Sequence, residues 1–363
     1  MRRYCLARRR RHFPTRFDRW HRAPAVALLL TLAALTIAVA WPTARTPQPS
    51  VRASTAEQTD LKLYRAIIAR MRAGEDYYPT AADELRKGGY PLRPFVTVRL
   101  PTLASLHAHT PPVMMTMVQA LLALAVLFAW WRRLASGVGL PARAMAGLLL
   151  VAGTAGLLSP AAGLLHESWA GLLLALMIGV RRRGHAALAI VAGALAVAIR
   201  ETALPMILVM GALALIERRG KEALGWAAVV ALFAGAMVAH AAMVGAVVLP
   251  TDPVSPGWNG MLGARFALAA IAGVSSATLL PGPLAALLLL LSLFGWISLA
   301  TSFALRVSLM LLGYGAMLAL FSRADTFYWA LLVAPLSLVG LVFVPRALSA
   351  LVSAARGVAQ PRS

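Results

Sequence analysis

The chain is poor in acid and nearly devoid of cysteine. Its 13 Asp and Glu stand against 35 Lys and Arg, and Cys5 is the single cysteine, so no intrachain disulfide can form. Charged residues fill only 13% of the 363 positions while 60% are hydrophobic, which excludes an ordinary soluble domain. No Walker phosphate loop, dinucleotide fingerprint, serine elbow or zinc spacing occurs, so no enzyme class can be read from a short motif. No internal repeat is evident, and the short apolar–polar alternation of an outer-membrane barrel is missing.

What the chain does have is a succession of long apolar runs with arginines between them. The net charge is +22, almost all of it arginine. In a soluble protein that balance would point to nucleic acid. Here the arginines sit at the ends of apolar runs instead of sharing one face, as the positive-inside rule requires, so nucleic acid is not an expected partner. The expected fold is all-α, a polytopic helical membrane protein in a bacterial-type cytoplasmic (inner) membrane.

The basic segment 1–22 belongs in the cytoplasm and the run 23–41 is the first span. Ala38-Val39-Ala40 also resembles a signal-peptide cleavage site, but the basic region is long for a signal, and either reading puts residue 42 onward outside. Residues 42–56, rich in Pro, Ser and Thr, read as a non-helical linker. Segment 42–111 is then a large first extracytoplasmic loop carrying amphipathic helices, 112–344 a multi-helix transmembrane domain, and 345–363 a basic cytoplasmic tail. Expected spans lie at 112–131, 144–158, 166–180, 186–199, 202–216, 223–248, 284–303, 307–321 and 327–344. If 265–280 crossed as well, Arg306 and the basic tail would end outside. A re-entrant or interfacial course keeps them inside and turns Arg323 and Asp325 outward, giving about ten spans, with eleven as the alternative.

Several spans are short. About 15 helical residues rise about 22 Å, whereas the hydrocarbon layer is about 30 Å thick. With their arginine-bearing ends pinned, the opposite turns should lie below the outer surface. Those turns hold His166-Glu167 and Arg200-Glu201, and such groups are tolerated at depth only inside protein or a wet cavity. Either they form a structural pair, such as Glu167 with Arg200, or they meet a substrate.

The loop at 60–101 is the one long polar stretch between apolar runs. Leu61, Tyr64, Ile68 and Met71 share a helical face opposite Lys62, Arg65 and Arg72, and Gly74 is a natural stop. Asp60 falls at the expected start of this helix, where an N-cap and a catalytic carboxylate are both sensible readings. Tyr64 and Tyr78 can stack on a sugar or anchor at the headgroup level. Arg93 and Arg99, each close to a proline, can present a fork to phosphate or carboxylate. His107 and His109 read as solvated interface residues, and His240, inside an apolar run, as a hydrogen-bonded structural one.

These features together resemble the first outer loop of GT-C-type membrane glycosyltransferases, which use polyprenyl-phosphate sugars. The likeness rests on a first span followed by Asp60, Leu61 and Tyr64, a helix to Met71, Gly74, Tyr77-Tyr78, Gly89-Tyr90-Pro91, Arg93-Pro94-Phe95 and Arg99-Leu100-Pro101. His166-Glu167, Arg200-Glu201 and the stretch from Arg323 to Trp329 fit the same layout. Members often have a second acid in this loop, where here the nearest is Glu57, and a large outer C-terminal domain not found in this sequence.

The resemblance implies sugar transfer from a polyprenyl-phosphate donor to a lipid or glycan acceptor among membrane lipids. Asp60 would be the base, and Arg93, Arg99 or Arg200 would neutralise the departing phosphate. Tyr64, Tyr78, His166, Glu167 and Glu201 would complete the substrate site. A divalent metal at Asp60 is compatible with this chemistry, although a single acid does not require one. A transporter or lipid flippase and a non-catalytic assembly subunit are the competing classes. Polarity gathered on one side, without inverted repeats, favours chemistry at the outer face.

Overall fold

A backbone surrounded by apolar side chains must satisfy its own hydrogen bonds, and an uninterrupted apolar run does so as a helix. The computed structural model describes residues 12–40 and 51–357. Among these residues there is no strand, only isolated bridges such as Arg93 with Val254. Residues 1–11, 41–50 and 358–363 lie outside the described residues, and with them Cys5, the basic extreme N-terminus and most of the expected linker.

Helix α1 (Arg22–Ala40) precedes three helices of the polar region, α2 (Val51–Arg72), α3 (Tyr77–Lys87) and α4 (Thr102–His109). The apolar body continues as α5 (Pro112–Leu134), α6 (Leu140–Thr154), α7 (His166–Val180), α8 (Ala187–Ile199), α9 (Leu204–Ile216) and α10 (Gly220–Gly245). After an outer loop come α11 (Gly263–Gly273), α12 (Gly282–Ser298), α13 (Ser302–Leu320), α14 (Ala334–Ser337) and α15 (Val344–Ala355). Among the described residues, 5 helical runs, counting 3-10 turns continuous with a helix, are long and apolar enough to cross a membrane, where about ten were expected: Pro112–Leu134, Leu140–Leu157, Gly220–Gly245, Ser302–Leu320 and Ala334–Ala355. Apart from α1, the other apolar helices are shorter; α8 and α9 have 13 residues each, a rise of about 20 Å.

The helices share two ends. At one, Arg133 on α5 donates to the Ile178 carbonyl, and Arg181 pairs with Glu222 at 2.8 Å and Glu217 at 2.7 Å. Arg306, fully buried on α13, joins the same cluster through Glu217 at 2.9 Å. At the other end sit α2, α3 and α4. Since α13 starts in the arginine cluster and α12 runs antiparallel to it, segment 263–281 leaves and returns to the same end: the Met261 amide binds the Leu320 carbonyl just before α11 begins.

Three expectations need correction. Helix α2 starts at Val51, so Asp60 is interior to the helix and not its cap, and 51–56 is helical instead of linker. The apolar run 327–344 is not one helix. It is a 3-10 segment Ala324–Leu332, the single turn α14 and a second 3-10 segment Val339–Phe343. Pro335 removes a backbone donor there, and neighbouring backbones come close enough to lock the irregular course. Gly153 on α6, Gly171 on α7 and Gly295 on α12 face the carbonyls of Ala334, Leu331 and Gly340, and a Cβ at any of them would overlap that oxygen. Buried side chains from Tyr328 to Val339 surround this segment with protein, the condition under which non-helical backbone survives among apolar helices. Residues 345–355 continue as α15, whose Ala347, Ala350 and Leu351 pack beside Ala25 of α1.

Gly171→Ala should therefore lower stability by about 1–3 kcal/mol through overpacking. Gly235→Ala, in helix α10 with open space at its Cβ position, should be neutral or stabilise by up to about 1 kcal/mol. Melting of the two purified variants in detergent checks this pair.

Candidate functional site

Asp60 and Tyr64 lie one turn apart on α2, on the face turned toward the apolar body. Arg70 on the same helix holds α3 through Asp83 at 2.5 Å and Glu84 at 2.8 Å, so the two helices act as one plate. Gly89, at φ +68°, adopts the left-handed turn that ends α3 and swings Tyr90 back. The Tyr90 hydroxyl then donates to Asp60 Oδ1 at 2.6 Å. The Tyr77 hydroxyl donates to the Arg99 carbonyl at 2.7 Å and fixes the stretch that brings Arg99 across.

Below this plate lies the recessed floor, formed because α7 and α8 stop short. Arg200, 1% exposed, closes α8 and sits with Nε 2.7 Å from Glu167 Oε1 on α7. The contact is close but not aligned as a hydrogen bond. Arg200 also donates to Glu201, whose other neighbour is Arg99 at 3.6 Å. Arg99 Nε meets the Tyr64 hydroxyl at 3.5 Å, and the Tyr64 ring stands edge-on to His166 at 5.3 Å. The charges thus form a chain from Glu167 through Arg200 and Glu201 to Arg99, running from the buried body to the loop.

Plate and floor enclose a cavity of about 890 Å³. Asp60, Tyr64, Arg99, His166, Arg200 and Glu201 all line it. The other three residues singled out from sequence do not. Glu167 stands behind Arg200 as its counter-charge. Tyr78 donates to His240 Nδ1 at 3.2 Å, while His240 Nε2 faces the Val98 carbonyl at 3.1 Å. That pair of contacts sets the tautomer with the proton on Nε2 and docks α3 on α10. Arg93 donates to the Asp252 carbonyl at 2.6 Å, next to the Arg86–Asp252 ion pair at 2.8 Å, and so holds the outer loop. His107, expected to be solvated, is 7% exposed and bonded to the Gly163 carbonyl at 3.1 Å.

Further lining residues come from segments noted in the sequence but given no place in the site there: Tyr90, Thr202, Tyr328 and Trp329, with the part-exposed Arg323 and Asp325. Tyr90 has no spacing signal toward Asp60, 30 residues away. Trp329 reads in the sequence as part of a membrane helix.

Burial raises the Asp60 carboxyl above the usual carboxylate range, outweighing the Tyr90 hydrogen bond and the Arg99 charge, which act to lower it. Burial by itself would lower the Arg99 guanidinium. The surrounding Tyr64, Tyr328, Glu201 and Glu167 more than offset it, so Arg99 remains a firm cation. Among the described residues no cluster of three His, Cys, Asp or Glu could hold a metal ion.

A raised acid binds its proton more tightly in the folded state. Stability from Asp60 is therefore greatest at low pH and declines as pH rises from the ordinary aspartate pKa through the raised one. Relative to Asp60→Asn, the natural protein should gain melting temperature as pH is lowered from neutral, and an opposite slope would show that the carboxylate form is the stabilised one. Glu167→Gln and Arg200→Met should each cost about 3–5 kcal/mol, because each leaves a buried charge unpaired, and the double variant should cost less than their sum in denaturation measurements. Comparison of the chain with family models, with curated proteins and with solved structures returns no match.

Proposed function

We propose that this protein is a GT-C-like glycosyltransferase of a bacterial-type inner membrane. It moves a sugar from a polyprenyl-phosphate carrier to a lipid or glycan acceptor on the periplasmic face. In this reading α1, α5 to α10, α12, α13 and the buried segment 324–343 make ten crossings, the N-terminus is cytoplasmic, and α11 is re-entrant. The arginine cluster at Arg133, Arg181 and Arg306 supports that orientation.

The observation that carries the reading is the shared cavity of Asp60 and Arg99 between the polar plate and the recessed floor. A hydroxyl has a pKa far above neutral and needs a base to become a nucleophile. Asp60, with its raised proton affinity, takes that proton as the acceptor oxygen bonds to the anomeric carbon. The bond from that carbon to the phosphate oxygen breaks, and its electron pair leaves with the phosphate. Arg99 receives the anion: its contacts to Tyr64 and Glu201 are long, 3.5 and 3.6 Å, and a phosphate can displace them. Arg200, held at short range by two carboxylates, is committed to the floor.

A lipid flippase or transporter is the second reading, favoured by the charged chain Glu167–Arg200–Glu201 among apolar helices. Against it stands the opposite end, where Arg181, Arg306, Glu217 and Glu222 knit α7, α10 and α13 together.

Purified protein in vesicles with labelled polyprenyl-phosphate sugars separates the readings. Asp60→Asn should slow transfer by about 10²–10⁴-fold, and Arg99→Gln by about 10²–10³-fold. Undiminished transfer by Asp60→Asn would remove the base assignment. Movement of lipid between leaflets without any transfer would install the flippase reading instead.

A further inference from the structure

Beside the large cavity is a smaller one of about 300 Å³, set between α2, α4, the start of α5 and the turn before α7. Ile68, His107 and Leu164 line both cavities and so form the wall between them. From α2 the smaller one takes Arg65, Ile68, Ala69 and Arg72, the i, i+3, i+4, i+7 spacing of a single helical face. Arg65 and Arg72 stand two turns apart, about 10 Å along the axis. Ala69 lies between them and leaves the space there open, and all three residues are exposed.

The charge of these two arginines is left over. Elsewhere in the polar plate Arg70 pairs with Glu75, Asp83 and Glu84, Arg86 with Asp252, and Lys87 with Asp83. Arg65 has neither hydrogen bond nor ion pair among the described residues. Arg72 donates to the carbonyls of His107 at 2.8 Å and Thr110 at 3.5 Å. Carbonyls carry no net charge, so this guanidinium is held in place without being neutralised.

The accessible remainder of the lining is apolar at Pro112, Pro160 and Leu164. Pro112 opens α5, and the next face of that helix carries Val113, Met117 and Leu121, exposed at 66, 60 and 64%. Helix α5 is long and apolar enough to cross a membrane, so this stripe is surface for hydrocarbon chains. Cations on one helix beside an apolar stripe on the next match a molecule with an anionic head and an acyl chain. Guanidinium groups bind phosphate through charge-assisted hydrogen bonds. Two of them together repel a further cation, which disfavours a headgroup that also carries an ammonium.

We propose that this smaller cavity binds an anionic membrane phospholipid. Its phosphate lies between Arg65 and Arg72 over Ala69, and one acyl chain runs past Pro112 along the exposed stripe of α5. The lipid thereby braces the polar plate against the apolar body. The site requires no sugar chemistry and stands apart from the transferase reading.

The test uses the delipidated full chain in detergent, with bound lipid counted by native mass spectrometry and melting temperature followed in parallel. The probes are dioleoyl phosphatidylglycerol, dioleoyl phosphatidylcholine, the chain-free headgroup glycerophosphoglycerol and inorganic phosphate. Phosphatidylglycerol should bind about tenfold or more tightly than phosphatidylcholine and should raise the melting temperature, as a ligand of the folded state does. Glycerophosphoglycerol and phosphate should do neither at the same concentration. Arg65→Gln and Ala69→Glu should each weaken phosphatidylglycerol binding by about tenfold, the first by removing a cation and the second by placing a carboxylate between the two. Both positions are exposed on a helix, so the lipid-free variants should melt like the natural protein. Lys62→Gln removes an exposed cation of the same helix outside the cavity and should leave the affinity unchanged.

Equal binding of the two lipids overturns the proposal, as does natural affinity in Arg65→Gln and Ala69→Glu. Binding of phosphate or glycerophosphoglycerol as tight as that of the lipid would show an anion site with no place for a chain, and would overturn it too. A loss in Lys62→Gln equal to that in Arg65→Gln would show attraction to the general charge of α2 and remove the built site. All of these are read without a transfer assay, so failure of the transferase reading leaves the lipid site standing.

Discussion

The Glu167–Arg200 pair is the constraint around which the cavity is built. Two nearly buried charges among apolar helices are tolerable only in contact, and their 2.7 Å approach fixes the first turn of α7 against the last of α8. The same guanidinium reaches Glu201, and Glu201 reaches toward Arg99 in the polar region. One chain of charge therefore joins the apolar body to the plate of α2 and α3. The plate holds Asp60 above the space left where α7 and α8 end early.

That early ending needs support from behind, and the irregular segment 324–343 supplies it. A continuous helix there would keep its side chains between itself and its neighbours. The broken course lets its carbonyls lie directly against Gly153, Gly171 and Gly295 on three helices. It also delivers Tyr328 and Trp329 to the cavity wall and Arg323 and Asp325 to its rim. The opposite end is closed by a different device. Arg181 and Arg306 share Glu217, so the ends of α7 and α13 cannot separate without exposing a buried cation. The cavity lies at one end of the molecule and the Arg181–Arg306 charge cluster at the other.

Much of the helical layout was legible in the residues. The run 166–180 coincides with α7, and 186–199 differs from α8 by one residue, because arginines and polar pairs mark their ends. The polar stretch after Asp60 contains α2's amphipathic half and stops near Gly74, at φ +96°. Glu167 with Arg200 was one of two readings open from sequence, and the structure makes the contact. Other features left no local trace. The start of α2 at Val51 was hidden because serine, threonine and proline nearby favour turns, and local propensity is a weak guide when packing decides. The run 327–344 is apolar throughout, so hydropathy reads it as one helix; only the glycines on neighbouring helices reveal why its backbone can depart from that.

Composition and charge alone determined a helical chain rich in apolar helices, with arginines at their ends and a polar plate on one side. Those features arise from short-range physics: backbone satisfaction, hydropathy and the placement of positive charge. Tertiary structure decided which side chains share a space. It took Tyr90 to Asp60, drew Arg93 and Tyr78 away to brace the outer loop and α10, and set His166, Thr202 and Trp329 around one cavity. No spacing rule encodes such meetings. They depend on where several helices stop, and that in turn depends on buried charges and glycines that act across the whole packed body.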